Sequence, residues 1–237
     1  MGKDVQFLLD YNVNFKNDLV TSDGRSLMRI LVIGANGKIG RLICKQGADL
    51  GMEMLGMVRN EEQVQSLDNL GVRFVVADLE GELAPAFDGV THVVFTAGSG
   101  GHTSADKTLM VDLYGAVKAI DESKKHGVKH FVMVSALDAD NPMAHFPKIA
   151  PYMVAKKAAD DYLRNSRLSF TILRPGVLTD DLGSGKVSTN LGESTNKSIS
   201  RQNVANCVLA VLNNKILVSG CVLDLIDGNQ PINEAFN

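Results

Sequence analysis

A doubly wound α/β sheet, its strands mostly parallel and covered by helices on both faces, is the fold this sequence predicts. Three observations predict it. Short β-branched runs alternate with longer amphipathic ones from Met28 onward, a glycine-rich turn joins the first run to the helix after it, and no repeat or low-complexity linker breaks the series. With 237 residues, 45% of them apolar and 22% charged, the chain is long enough for one sizeable core and too apolar to be disordered. Its 24 basic residues are spread among 27 acidic ones with no basic run longer than two. That distribution argues against nucleic acid or a membrane surface as partner.

The strands are expected at Arg29 to Ile33, Met54 to Val58, Val72 to Ala77, His92 to Ala97, Phe131 to Val134, Phe170 to Leu173 and Val222 to Ile226. Helices are expected between them, at Lys38 to Leu50, Glu61 to Leu70, Ala105 to His126, Tyr152 to Asn165 and Gln202 to Leu212. Asn60 followed by Gln63 is a start signal for the second helix, and Thr103 followed by Asp106 reads as a capping box for the third. In that third helix Leu109, Leu113, Ala116, Val117 and Ile120 fall on one face at helical spacing. Pro151 sets the start of the fourth. Residues 1–27 show neither helical nor strand period and are set apart as an N-terminal extension, leaving 28–237 as one domain. Within it, Thr179 to Ser200 is polar and rich in Gly, Ser, Thr and Asn, as suits a small lid on the substrate side, with a strand near Lys186.

Gly34, Gly37 and Gly40 stand in a GxxGxxG where the first strand turns into its helix. Main-chain N–H groups at such a turn point at an anion, and glycine lets the chain approach a pyrophosphate with no Cβ in the way. The spacing alone is a weak signal; its position before an amphipathic helix and about 20 residues ahead of a second buried strand makes this a dinucleotide loop of Rossmann type. Asn36, Lys38 and Ile39 complete it. At the end of the second strand Arg59 stands where a carboxylate would grip the NAD ribose, and a guanidinium there suits the 2′-phosphate of NADP. Asp78 and Leu79 follow the third strand, placed for the adenine. Ala97, Gly98 and Ser99 follow the fourth, where small residues leave a crevice.

Tyr152 and Lys156 form a YxxxK one helical turn apart, and an ammonium beside a phenol stabilises the phenolate that proton transfer requires. Ser135 ends the fifth strand, with a hydroxyl placed to polarise a substrate carbonyl. His126 and His130 are separated by the helix-breaking Gly127, so no shared metal face is expected, and His102 and His145 fall in loops near the cleft. Cys44, Cys207 and Cys221 are far apart in apolar surroundings and read as free core thiols. No apolar run is long enough to span a bilayer, and the expectation is a cytoplasmic protein.

Taken together, GANGKIG at 34–40, MVRN at 57–60, ADL at 77–79, FVMVSALDAD at 131–140, PYMVAKKAAD at 151–160 and RPGVLT at 174–179 resemble the short-chain dehydrogenase/reductase family, in its atypical, extended-like branch. The resemblance runs from Met28 to the C-terminus. It implies Tyr152 as acid/base, Lys156 as the holder of the nicotinamide ribose, Ser135 as the group that orients substrate, and Pro175, Gly176 and Val177 beside the nicotinamide. Asp112 stands where the family usually has a helix asparagine, and an acid there would change the charge partner of Lys156. The implied activity is NADP-dependent oxidation or reduction of a small alcohol or carbonyl, with NADP rather than NAD as cofactor. Two other readings stand beside it: an NADP-holding redox sensor without turnover, and a flavin or tetrapyrrole reductase. Monomer and dimer are both left open.

Overall fold

The computed structural model describes residues 28–100, 103–143, 149–192, 196–213 and 219–235; the N-terminal extension, His102 and His145 lie outside them. Seven strands run parallel: β1 Arg29–Ile33, β2 Glu53–Val58, β3 Arg73–Val76, β4 His92–Phe95, β5 His130–Val134, β6 Phe170–Pro175 and β10 Cys221–Asp227. Between β6 and β10 lie β7 Val177–Thr179, β8 Lys186–Ser188 and β9 Ser198–Ser200, and a short β11, Gln230–Pro231, follows β10. The strand near Lys186 is thus present as β8, antiparallel to β10. β7 pairs with β9 in a separate two-stranded ribbon. The large sheet has the order β11-β8-β10-β6-β5-β4-β1-β2-β3. The direction of winding reverses between β1 and β4, and a crevice opens there at the carboxyl ends of the strands.

Helices α1 Lys38–Asp49, α2 Glu61–Leu67, α4 Ala150–Arg164 and α5 Arg201–Asn213 lie close to their expected places, and a short α6, Ile232–Ala235, ends the described chain. The period of two along the strands sorts the core into two layers. Ile30, Val32, Val94 and Val132 face α1 and the apolar run Val204 to Leu212 of α5. Leu31, Ile33, Phe95 and Phe131 face the other way, onto Ala116, Ile120 and Leu163. Asn60 does cap α2, its Oδ1 accepting the N–H of Gln63 at 3.0 Å.

The third helix, α3, covers 105–125 and departs from the regular helix expected there. It is α-helical at Ala105–Lys107, π-helical at Thr108–Tyr114 and α-helical again at Gly115–Lys125. The wider turn rotates the face: Thr108 and Asp112 go inside, while Leu109, expected on the buried stripe, is 53% exposed. Of the expected stripe Ala116 and Ile120 are buried, whereas Leu113 and Val117 are only half-buried. The capping box is also displaced. Ser104 precedes the first helical residue, and the Thr103 hydroxyl turns back to donate to the Gly100 carbonyl at 2.9 Å. Among the thiols, Cys44 and Cys207 are buried as expected but Cys221, on β10, is only half-buried. Burial pushes the Cys44 thiol up to about 12. Among the described residues no helix is long and apolar enough to cross a membrane.

Candidate active site

The cleft begins at the glycine turn. Gly34 has φ +94°, a conformation side chains resist, and a Cβ on it would come within 2.7 Å of the Ala97 nitrogen. Gly40 is excluded from carrying a side chain for another reason: its Cβ would lie 2.2 Å from the Gly34 carbonyl oxygen, because α1 packs directly onto the turn. No acidic residue stands in the first turn of α1, so its free N–H groups face the cleft with their positive end uncompensated. Asn36 is braced by Arg41, whose Nε donates to its carbonyl at 3.0 Å and whose guanidinium also reaches its side-chain oxygen at 2.5 Å.

Two cavities open side by side along this edge. The first, about 370 Å³, is lined by Gly34, Asn36 and Gly37 from the turn and by Arg59, Asp78 and Leu79 beyond β2 and β3. Ala97, Gly98 and Ser99 close its inner wall. The Arg59 side chain is exposed and makes no hydrogen bond or ion pair among the described residues, while its backbone N–H donates to Gln63 Oε1 at 3.0 Å. Gln63, Thr103 and Lys107 line the same cavity and were not expected from the sequence; Lys107 pairs with Glu80 at 2.6 Å. Each comes from an element that only the fold brings back to the glycine turn. The cavity is bordered by the closely packed glycine turn and by the unengaged guanidinium of Arg59, which fits a dinucleotide carrying an additional phosphate.

The second cavity, about 570 Å³, shares Gly37, Thr96, Ala97 and Gly98 with the first, so the two form one cleft. Lys38 and Ile39 border it on one side, and Asp112, Ser135, Tyr152, Lys156 and Pro175 on the other. Gly176 and Val177 do not line it. Gly176 packs against the Lys197 carbonyl, only 2.0 Å from where a Cβ would be, and Val177 is 71% exposed. β6 bends away from the cleft after Pro175 to begin the β7–β9 ribbon, and this carries both residues outward.

Lys156 is almost wholly buried. Its Nζ donates to the Val134 carbonyl at 3.1 Å, sits 5.7 Å from the Tyr152 ring centroid and 4.0 Å from Asp112 Oδ1. Asp112 is therefore a charge partner of Lys156, as its acidic identity suggested, but at long range. Its other oxygen accepts the Ser99 N–H at 2.9 Å, tying the loop after β4 to the π segment of α3. Asp112 Oδ1 has no hydrogen-bond partner among the described residues although it is buried.

Behind this wall lies a buried charge network that the sequence reading missed. Asp160, one turn beyond Lys156 on α4, is fully buried and accepts from Arg174 Nε at 3.0 Å. Arg174, on β6 and 3% exposed, also grips Asp140 with both terminal nitrogens. Burial, the dominant influence, pushes the Asp160 carboxyl above its usual range, against the pull of the Ser135 hydroxyl and of Arg174. Ser135 Oγ and Asp160 Oδ1 are both buried without a hydrogen-bond partner among the described residues. Hydrogen bonds from Arg174 hold Asp140 below the usual carboxylate range. A readable signal existed: Tyr152, Lys156 and Asp160 recur every four residues on one helix face.

His126 and His130 do not converge. His126 packs its ring against Phe87, 5.7 Å between centroids, while the His130 ring is bonded to Ser169 and Thr171. Among the described residues there is no group of three or more potential metal ligands.

The fold and the cleft define a nucleotide-binding protein of Rossmann type. The sequence matches the NAD(P)H-binding family over residues 34–215, and the chain belongs to that family. It is 44% identical over 212 residues to a Bacillus subtilis protein named uncharacterized sugar epimerase YhfK, spanning 88% of this chain and 98% of that one. A yeast relative, UPF0659 protein YMR090W of Saccharomyces cerevisiae, is 35% identical across 87% of this chain and 96% of its own. Among solved structures, a Bacillus halodurans protein named putative NAD-dependent epimerase/dehydratase superposes with a TM-score of 0.84 at 41% identity, covering 88% of this chain and 98% of that one. Membership of that family makes this chain an NAD(P)H-binding protein.

Proposed function

We propose that this chain is an NADP-dependent oxidoreductase acting on a small carbonyl or alcohol. One observation carries the reading: Ser135, Tyr152, Lys156 and Asp112 line a cavity continuous with the one bounded by the glycine turn and Arg59. Bound along that cleft, the dinucleotide supplies or takes up a hydride at the substrate carbon.

The chain's own residues do the rest. Amides of Lys38 and Ile39 hold the diphosphate, with Gly37 folding the turn by donating to the Gly34 carbonyl, Asp78 and Leu79 hold the adenosine, and Arg59 a 2′-phosphate. In the reducing direction the Tyr152 phenol gives its proton to the substrate oxygen, and in the oxidising direction it takes that proton back. Lys156, pinned by the Val134 carbonyl and faced by Asp112, places its charge beside the Tyr152 ring. Ser135 orients the substrate oxygen. Pro175 closes the floor.

The test is stopped-flow NADPH oxidation over a panel of small carbonyls. Tyr152→Phe is expected to lower turnover by about two decades or more, in keeping with the loss of a positioned acid. Unchanged turnover in that variant removes the tyrosine from the reaction; if flavin is then reduced equally well by both proteins, a flavin reductase replaces this reading. Tight nucleotide binding with no consumption across the panel would point to a sensor. The name of the Bacillus subtilis relative favours one second reading, epimerisation of a sugar, in which the same tyrosine removes a proton and returns it. Epimerisation would show as isomer exchange with no net change in NADPH.

A further inference from the structure

Deepening the reading above, we infer that the substrate end of the cleft takes an anionic molecule, one carrying a carboxylate or a phosphate, and that Arg201, with Lys38 beside it, is the group that holds it. Three of the residues lining the second cavity, Lys38, Lys156 and Arg201, are cationic, and Asp112 is the one acid among them. Asp112 is buried and already committed to the Ser99 amide and to Lys156. The charge left facing the space is therefore positive. Lys156 belongs to the tyrosine and Lys38 stands next to the diphosphate turn, whereas Arg201, which opens α5, is outside the residues assigned to the nucleotide.

The structure also shows how these two cations would hold an anion. Asp180, just past β7, bridges them with its two oxygens: Oδ2 lies 2.6 Å from Lys38 Nζ and Oδ1 2.7 Å from an Arg201 terminal nitrogen. Asp180 does not line the cavity, and its side chain is 62% exposed. An ion pair so open to water is weak, so a ligand carboxylate or phosphate with further contacts in the cavity can take its place. Arg201 is held where it stands. Its side chain is only 23% exposed and the same terminal nitrogen reaches the carbonyl of Leu178, a wall residue of this cavity, at 3.5 Å.

Calorimetry on the full chain saturated with NADP tests the assignment with a matched trio: glucose 6-phosphate, glucuronate and glucose. We expect at least one of the charged pair to bind about tenfold tighter than glucose, and the stronger of the two identifies the anion. Arg201→Gln should abolish that preference while leaving NADP affinity within twofold. Asp180→Asn, which removes the competing internal carboxylate, should instead strengthen binding of the charged probe severalfold. Opposite effects of the two variants are not what loss of a structural ion pair gives, since either change breaks it. Equal binding of all three probes, no binding of either charged probe, or a preference that survives Arg201→Gln overturns the inference while NADP binding stands. Absence of NADP binding in the first titration would overturn the cofactor reading and this inference with it.

Discussion

Along the first half of the cleft, from β1 to β4, the walls are main chain and small side chains packed so closely that a Cβ on Gly34 or Gly40 would meet backbone atoms at 2.7 or 2.2 Å. Along the second half, from β5 to β6, the wall rests on charges withdrawn from water, Lys156 against Asp112 and Arg174 against Asp160, with the exposed Asp140 gripping Arg174 from outside. The first half is rigid because its shape is steric and its polar groups are amides already placed by the fold. Rigidity in the second depends on ion pairs whose desolvation offsets much of their attraction, so they contribute position more than stability. A surface that only cradles a phosphate can be built from backbone. One that must hold a lysine beside a tyrosine, and a serine at a set angle, needs partners for every charge it buries.

Breaking the charge network should therefore be the costliest single change. Arg174→Met removes the cation from Asp160, which is fully buried, and is expected to lower unfolding free energy by about 3–5 kcal/mol in a denaturant titration. Combining it with Asp160→Leu, which removes the stranded carboxylate, should restore most of that loss. A single variant within 1 kcal/mol of wild type would mean that the network carries no weight and the contrast between the halves fails.

A pH titration separates both halves from the opposite edge of the sheet. The His130 ring, at the start of β5 and bonded to Ser169 and Thr171, has its pKa lowered by burial from 6.5 to about 4. Between those values the unfolded chain takes up a proton that the folded chain refuses. Its contribution is therefore complete above pH 6.5 and is lost as pH falls toward 4, by as much as about 3 kcal/mol. Denaturant midpoints measured from pH 7.5 to 4.5 should show this decline, and His130→Gln should flatten that part of the curve. A wild-type profile that is level through the window contradicts the burial argument.

Gly40→Ala probes the steric half. Overpacking against the Gly34 carbonyl should cost about 1–3 kcal/mol of stability and weaken NADP and NAD binding together, since the turn serves both. Full retention of nucleotide affinity, read by calorimetry, would show that the turn has slack and that close packing does not set its shape.

The same contrast explains what could be read in advance. The glycine turn, the parallel strands and the start of α2 were legible because each rests on local chemistry: a steric requirement, a period of two, or Asn60 reaching the Gln63 amide. Tyr152, Lys156 and Ser135 were legible as residues, and their shared cavity follows from strand order. Three features were not. The π turn at Thr108–Tyr114 comes from Asp112 taking the Ser99 amide across the cleft, a tertiary contact that overrides the apolar stripe through Leu109. Arg174 reads as the tail of a buried strand until Asp160 and Asp140 come to meet it from 14 and 34 residues away. The bend after Pro175 that turns Val177 outward depends on β9, a strand with only three residues to announce it.

The smallest expected effect is the sharpest on cofactor choice. Arg59 is exposed, packs on nothing that the fold needs and has an unengaged guanidinium, so Arg59→Ala should leave stability within about 0.5 kcal/mol. Its contribution would come only when a 2′-phosphate is present: two charge-assisted hydrogen bonds that the bare ribose of NAD cannot accept. Loss of one such interaction is worth about 1.5–3 kcal/mol, so NADP affinity should fall at least tenfold while NAD affinity stays within a factor of two. Parallel calorimetric titrations of the two nucleotides into wild type and variant give both ratios from one preparation of each protein. If the two affinities fall together, Arg59 shapes the adenosine cavity in general. If neither moves, the 2′-phosphate is read elsewhere, and Lys107, across the same cavity and held by Glu80, is the cation to change next.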